Sequence, residues 1–297
     1  MDATVTAKFY RIMLPSAAAP RLDAVLSTLF ARKLAEREID VDEGITLRLE
    51  ILEQEARFLS GQFCRIQKAN IPPSAGDDGL APTVLAKGSR GLGHVAAFRY
   101  HIPTRLMLLQ INRNCAMPSR LSVYFGVAEG RPLYVLEPVL RTDVLKRLKK
   151  ATIKAFSVKF AEPLNIEALD DEQLSAVEGV RRAAEVFNAG RIEITISAGP
   201  KKKRKKKPLL RQLASRSVLS RLSNADGVEG LQALISIDDE SEWVNLLEEQ
   251  LRFSEVLELD SLDPAANYDT RKSYLAKIFN ANLDDLKAVY GARDGND

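Results

Sequence analysis

The chain is poor in the residues that hydrolases, metalloenzymes and disulfide-bonded proteins rely on. Only two histidines and two cysteines occur among its 297 residues. Cys64 and Cys115 cannot build a disulfide framework, and their spacing matches no metal motif. With His94 and His101 as the sole imidazoles and no helper cysteines, a zinc site is not indicated. A Ser-His-Asp triad has no G-x-S-x-G elbow to start from. The two histidines are seven residues apart, an odd number, so they face opposite sides of a continuous strand. No apolar run approaches the ~20 residues of a membrane span. The opening MDATVTAKFYRIML lacks the basic-then-apolar pattern of a signal peptide. These absences predict a reducing, cytoplasmic setting without a membrane, and they point to no cofactor, no metal and no catalytic residue.

Cofactor and nuclease motifs fail in the same way. Gly91-Leu92-Gly93-His94-Val95-Ala96 has G-x-G-x-x-A spacing, but it follows a Gly/Pro-rich loop and opens a strand, whereas the dinucleotide motif follows a strand and opens a helix. Among acid-x-lysine pairs, which place a lysine beside a metal-bound water, only Asp285-Leu286-Lys287 qualifies, on a helix of core-spaced leucines. Glu53 with Glu55, or Glu193 with Asp238 and Asp239, would hold magnesium only if the fold gathered them.

What is present is alternation. The run at 106–111, LMLLQI, is continuous enough for a strand covered on both faces. Residues 5–14, 45–51, 153–160, 191–197 and 230–237 read as further strands. Residues 94–100 pair with 105–111 across a turn at 102–104. Ser60-Gly61 reads as a hairpin turn. Apolar stripes of helical period begin at Pro20, cover 170–187 and 209–222, and close the chain as two helices, 268–280 and 283–290, the second capped by Asn282. Residues 243–259 read as a helix or strand, with Trp243 in the core. The fold class is α+β, with a mainly antiparallel sheet and helices packed on it. It is either one continuous fold or two sub-domains: a β-rich α+β region over 1–140, and an α+β region over 141–297 that contains the basic loop 199–208.

Two sites stand out. The strand at 106–111 empties into Asn112, Arg113 and Asn114, with Arg120 close behind. Arg offers a planar fork for phosphate or carboxylate, so these four make an anion or partner site; equally, both asparagines can fasten local turns. The other site is the unbroken run Lys201, Lys202, Lys203, Arg204, Lys205, Lys206 and Lys207. Removing its seven charges turns the formal net charge of +3 into −4. Positive charge is therefore concentrated, and phosphates would relieve its self-repulsion and release counterions. No aromatic interleaves the run, so base stacking is not indicated and any contact is sequence-blind. A solvated loop and a nuclear-import signal are its alternative readings. Lys146, Arg147, Lys149, Lys150 and Lys154 form a milder cluster.

Residues 106–125 with their INRN turn, the strand 191–199 and the closing 242–279 with Arg271 and Tyr274 together resemble an uncharacterised bacterial family of domain-of-unknown-function proteins found among phage-defence and mobile-element genes. The resemblance implies no catalytic residue, and the basic run is not part of it. The expectation is a non-catalytic, nucleic-acid-binding component of such a system that contacts duplex DNA through the basic loop. Alternatives are a protein-interaction subunit, sensor or inhibitor, partnered by a second defence protein, and a metal-dependent nuclease or toxin.

Overall fold

The apolar run becomes a strand, Leu106–Gln110, in which every residue is buried. The computed structural model around it describes residues 2–69, 71–76, 79–85, 91–112, 114–130, 134–161, 191–197, 228–237, 240–260 and 263–290. The helices expected at 170–187 and 209–222 and the basic run 201–207 lie outside the described residues. The chain divides into two units, Met1–Tyr134 with Arg252–Asp297, and Val135–Leu251.

In chain order the first unit opens with β1 (Asp2–Met13), α1 (Leu22–Ala31), a 3-10 turn (Leu34–Arg37), β2 (Ile39–Asp42), β3 (Ile45–Glu55) and β4 (Phe58–Gln67). A small hairpin of β5 (Ser74–Gly76) and β6 (Gly79–Ala81) follows, then β7 (Leu92–His101), β8 (Leu106–Gln110) and α2 (Pro118–Glu129). The second unit supplies β9 (Val135–Pro138), α3 (Thr142–Lys150), β10 (Thr152–Ala161), β11 (Arg191–Ser197), β12 (Val228–Ile237) and β13 (Glu240–Asn245). The chain then returns to the first unit with β14 (Arg252–Glu258) and α4 (Pro264–Tyr290).

The first unit's sheet runs β14-β1-β8-β7-β4-β3-β2, each neighbour antiparallel. The second unit's sheet runs β11-β10-β12-β13, antiparallel throughout. The fold is α+β with a mainly antiparallel sheet.

Strand alternation assigns the faces of the first sheet. Phe63 stacks on Phe98 at 4.8 Å between ring centroids and meets Tyr124 and Phe125 of α2. The Tyr124 hydroxyl donates to the Arg37 carbonyl at 2.8 Å and accepts from the Leu49 amide at 3.0 Å. Phe58, an odd number of residues away on β4, faces the other side. There it meets Phe279 of α4 at 5.3 Å, and Phe279 also meets Phe9 at 5.0 Å and His101 at 6.2 Å. Arg99 lies over the Phe58 ring at 4.3 Å, donating to Glu55 at 3.1 Å and Ser60 at 2.8 Å. In the second unit Val144 of α3 joins Phe156, Val158, Leu231, Ala233, Ile235, Val244 and Leu246 in one apolar cluster.

Three expectations are corrected. The hairpin turn is Ala56-Arg57, closed by the pair Glu55↔Phe58, while Ser60 and Gly61 sit inside β4. Gly61 is small because its neighbours are close: a Cβ there would lie 2.4 Å from the Ile51 carbonyl oxygen and 2.7 Å from the Phe98 ring. The two closing helices are one, Pro264–Tyr290, and Asn282 caps nothing. Its amide donates back to the Ile278 carbonyl at 2.9 Å, so the helix continues through it. Trp243, expected in the core, is 47% exposed on β13, because the alternation there gives the core side to Val244.

Two stability consequences follow from these contacts. Gly61→Ala forces the Phe98 ring or the β3 backbone to move, and urea denaturation should show a loss of about 2–4 kcal/mol. His101, 3% exposed between Phe58 and Phe279, has its imidazole pushed down to about 4, first by burial and then by Lys287, Arg57 and Arg99. The unfolded chain takes up this proton near pH ~6.5 while the folded chain does not. Stability should therefore be full above pH ~6.5 and fall as pH drops toward 4, by at most about 3 kcal/mol. In His101→Gln, denaturation midpoints across that window should lose this part of their pH dependence.

Candidate functional site

The exit of β8 is a fastened turn. Asn112 Nδ2 donates to the Val95 carbonyl of β7 at 3.0 Å, and its Oδ1 accepts from the Asn114 amide at 3.1 Å. The Asn112 carbonyl accepts from the Cys115 amide at 2.8 Å. The chain then enters α2 with Pro118 in the first turn and no side-chain cap on Met117. Arg113 lies outside the described residues.

Sequence reasoning missed Arg65, because an isolated arginine on an alternating strand reads as a wet-face residue. Register places it opposite His94, and its Nη1 donates to the Asn114 carbonyl at 3.3 Å. Burial, then the Arg65 charge, hold the His94 imidazole below its usual range, and its Nε2 lies 2.8 Å from Gln67 Oε1. Arg65 Nε, Ser119 Oγ and Arg120 Nε are buried and have no hydrogen-bond partner among the described residues. Among the described residues no carboxylate lies within ion-pair distance of Arg65 or Arg120. A guanidinium fork is the kind of donor an anion would use, and Arg65 brings one to the strand exit. Asn112 fastens the turn through its side chain, and Asn114 takes part through its backbone alone.

The carboxylates considered for magnesium are engaged otherwise. Lys272 of α4 pairs with Glu53 and, at 2.6 Å, with Glu55, which ties that helix to β3. Glu193 accepts from Ser157 Oγ at 2.7 Å and lies 3.5 Å from Lys159, contacts that hold its carboxyl below the usual range. Asp238 and Asp239 lie outside the described residues. Among the described residues no group of three or more His, Cys, Asp or Glu is placed to hold a metal ion. Cys64 and Cys115 are buried free thiols, both pushed up to about 12 chiefly by desolvation, so neither is a thiolate at neutral pH. Among the described residues no helix is long and apolar enough to cross a membrane.

Lys201, Lys202, Lys203, Arg204, Lys205, Lys206 and Lys207 lie outside the described residues, but the strands that deliver and receive them do not. The chain leaves β11 at Ser197, the register partner of Ala155 on β10, and resumes with β12 at Val228.

The turn makes a prediction that separates its two asparagines. Asn112→Ala removes both side-chain bonds and should cost about 1–2 kcal/mol in urea denaturation. Asn114→Ala, which leaves its backbone bonds in place, should stay within about 0.5 kcal/mol.

Among curated proteins none matches the chain. A family model described as a family of unknown function, DUF6731, matches residues 22–287, from the start of α1 almost to the end of α4. The match takes in most of the chain and leaves out β1, and the chain belongs to this family of unknown function, DUF6731.

Proposed function

We propose that the chain is a non-catalytic nucleic-acid-binding protein whose residues 201–207 contact the phosphate backbone of duplex DNA, working within a bacterial phage-defence or mobile-element system. The observation that carries this reading is the concentration of charge: seven consecutive cations in a chain whose remaining formal charge is −4. A polyanion neutralises such a run and releases counterions, which is a sequence-independent driving force. The absence of interleaved aromatics supports backbone contact over base stacking. Support for a non-catalytic role comes from the nucleophiles and bases. Both thiols are held neutral by burial, His101 is held neutral between aromatic rings, and Glu53, Glu55 and Glu193 are each engaged by a lysine. The defence setting rests on the resemblance of residues 106–125, 191–199 and 242–279.

A second reading, a protein-interaction subunit, is favoured by one observation. Trp243 stands half exposed on β13, the end strand of the described four-stranded sheet.

Replacing residues 201–207 with alternating Ser and Gly tests the first reading. Gel shifts with duplex DNA should disappear while the melting temperature stays within about one degree, because seven consecutive like charges are poor material for a packed core. For the unaltered chain, log affinity should fall against log salt with a slope of about −0.9 per phosphate contacted. Binding that survives the replacement, or that ignores salt, would remove the run as the site. If instead Trp243→Ala abolishes a complex with the product of an adjacent gene, and no salt-sensitive shift is seen, the second reading takes its place.

A further inference from the structure

We infer that two copies of this chain associate edge to edge through β14, antiparallel and centred on Glu255, so that the first unit's sheet runs on into that of a second copy. The inference is independent of the reading of residues 201–207 and concerns the first unit alone.

β14 is the end strand of its sheet, with β1 on one side of it. Hydrogen-bond direction shows which of its backbone groups are already engaged. The Ile111 amide donates to the Thr6 carbonyl at 2.8 Å, and the Ile12 amide to the Arg105 carbonyl at 2.8 Å. The even residues of β1 therefore turn their backbone groups toward β8. Those groups alternate sides along an antiparallel strand, so Ala3, Val5 and Ala7 turn theirs toward β14. Register sets these three opposite Leu257, Glu255 and Phe253. Arg252, Ser254, Val256 and Glu258 are left with N–H and C=O directed away from the sheet. All four are exposed, Val256 at 60%. Such an edge is a template for a further strand.

Charge selects which strand fits. At both ends of the β1–β14 pairing like charges stand opposite each other, Lys8 with Arg252 and Asp2 with Glu258. Pairs of this kind are unfavourable. Among the described residues neither Arg252 nor Glu258 has an ion-pair partner. One end of the edge is thus positive and the other negative. A second copy laid antiparallel and centred on Glu255 brings each end against its opposite, with Arg252 facing the second copy's Glu258 on both sides of the axis. A parallel copy would set like against like.

The same register suits the positions between. Ser254 comes opposite Val256, and every outward N–H meets an outward carbonyl. On the other face Phe253, whose ring lies 6.1 Å from that of Phe9, comes opposite Leu257. The two Glu255 side chains meet at the axis, and each already has Lys277 of its own α4 at 2.9 Å to offset their repulsion. Moving the register by two residues in either direction separates Arg252 from Glu258.

Sedimentation velocity of the full chain over a dilution series should show a monomer–dimer equilibrium. Arg252→Glu alone and Glu258→Arg alone should each raise the dimer dissociation constant on the order of tenfold or more, because like charges then face each other twice across the axis. Each substitution also removes a like-charge pair within its own chain, so circular dichroism should show the fold retained. Mixed one to one, the two variants should recover the affinity of the unaltered chain as a mixed dimer, since the glutamates of one then face the arginines of the other. A chain that stays monomeric at its highest soluble concentration would overturn the inference. Dimers that ignore both substitutions, or variants that fail to recover on mixing, would overturn it equally.

Discussion

Phe279 holds the first unit together. It brings α4, near the end of the chain, against Phe9 of the first strand and against Phe58 and His101 of the middle strands. Around that contact, Lys272 pairs with Glu53 and Glu55, and the Tyr274 hydroxyl donates to the Val5 carbonyl at 3.2 Å. β14 completes the edge by pairing with β1 from Asp2↔Glu258 to Lys8↔Arg252. The first unit's core therefore needs residues from both ends of the chain. Closing so long a loop is not prohibitive, since each doubling of length costs only about 0.6 kcal/mol. A whole second unit can consequently lie in sequence between Tyr134 and Arg252, free to carry charges that the first unit's core does not constrain.

That arrangement explains which parts of the fold can be read locally. β8 is legible because five successive apolar or buried residues leave no wet face. Its hairpin with β7 is legible because the connection is short, and α1 because Leu22, Val25, Leu26 and Leu29 keep helical spacing and are all buried. The pairing of β14 with β1 has no local signal; only the return of the chain creates it. Gly61 misleads for a related reason. Glycine beside serine reads as a turn, yet the ring that excludes a Cβ comes from Phe98 on another strand. Asn282 misleads because its side chain can bond backward as readily as it can cap, and the packing of Ile278, Phe279 and Leu286 on one helix decides the matter.

The candidate sites are legible to different degrees. The cluster after β8 marks a real turn of the fold, which Asn112 fastens through its side chain and Asn114 joins through its backbone. Arg65 completes the corner from β4 and left no trace in the sequence, because its partner is a backbone carbonyl that register alone supplies. The basic run is legible from composition alone. Lys146, Lys150 and Lys154 read as a mild surface cluster, and Lys154 donates to Ser241 of β13. Arg147 belongs to the same cluster in sequence and not in chemistry, since Glu242 compensates it.

The central claim is a division of labour. We propose that the first unit is a scaffold closed by α4 and that residues 201–207 meet a nucleic-acid backbone. Backbone amide shift mapping on the full isotope-labelled chain, with and without a short DNA duplex at low salt, addresses it most directly. The account predicts perturbations centred on residues 199–208, with the amides of 92–125 unmoved. Perturbations centred on Arg65, Asn112 and Arg120, with those of the second unit silent, would contradict it.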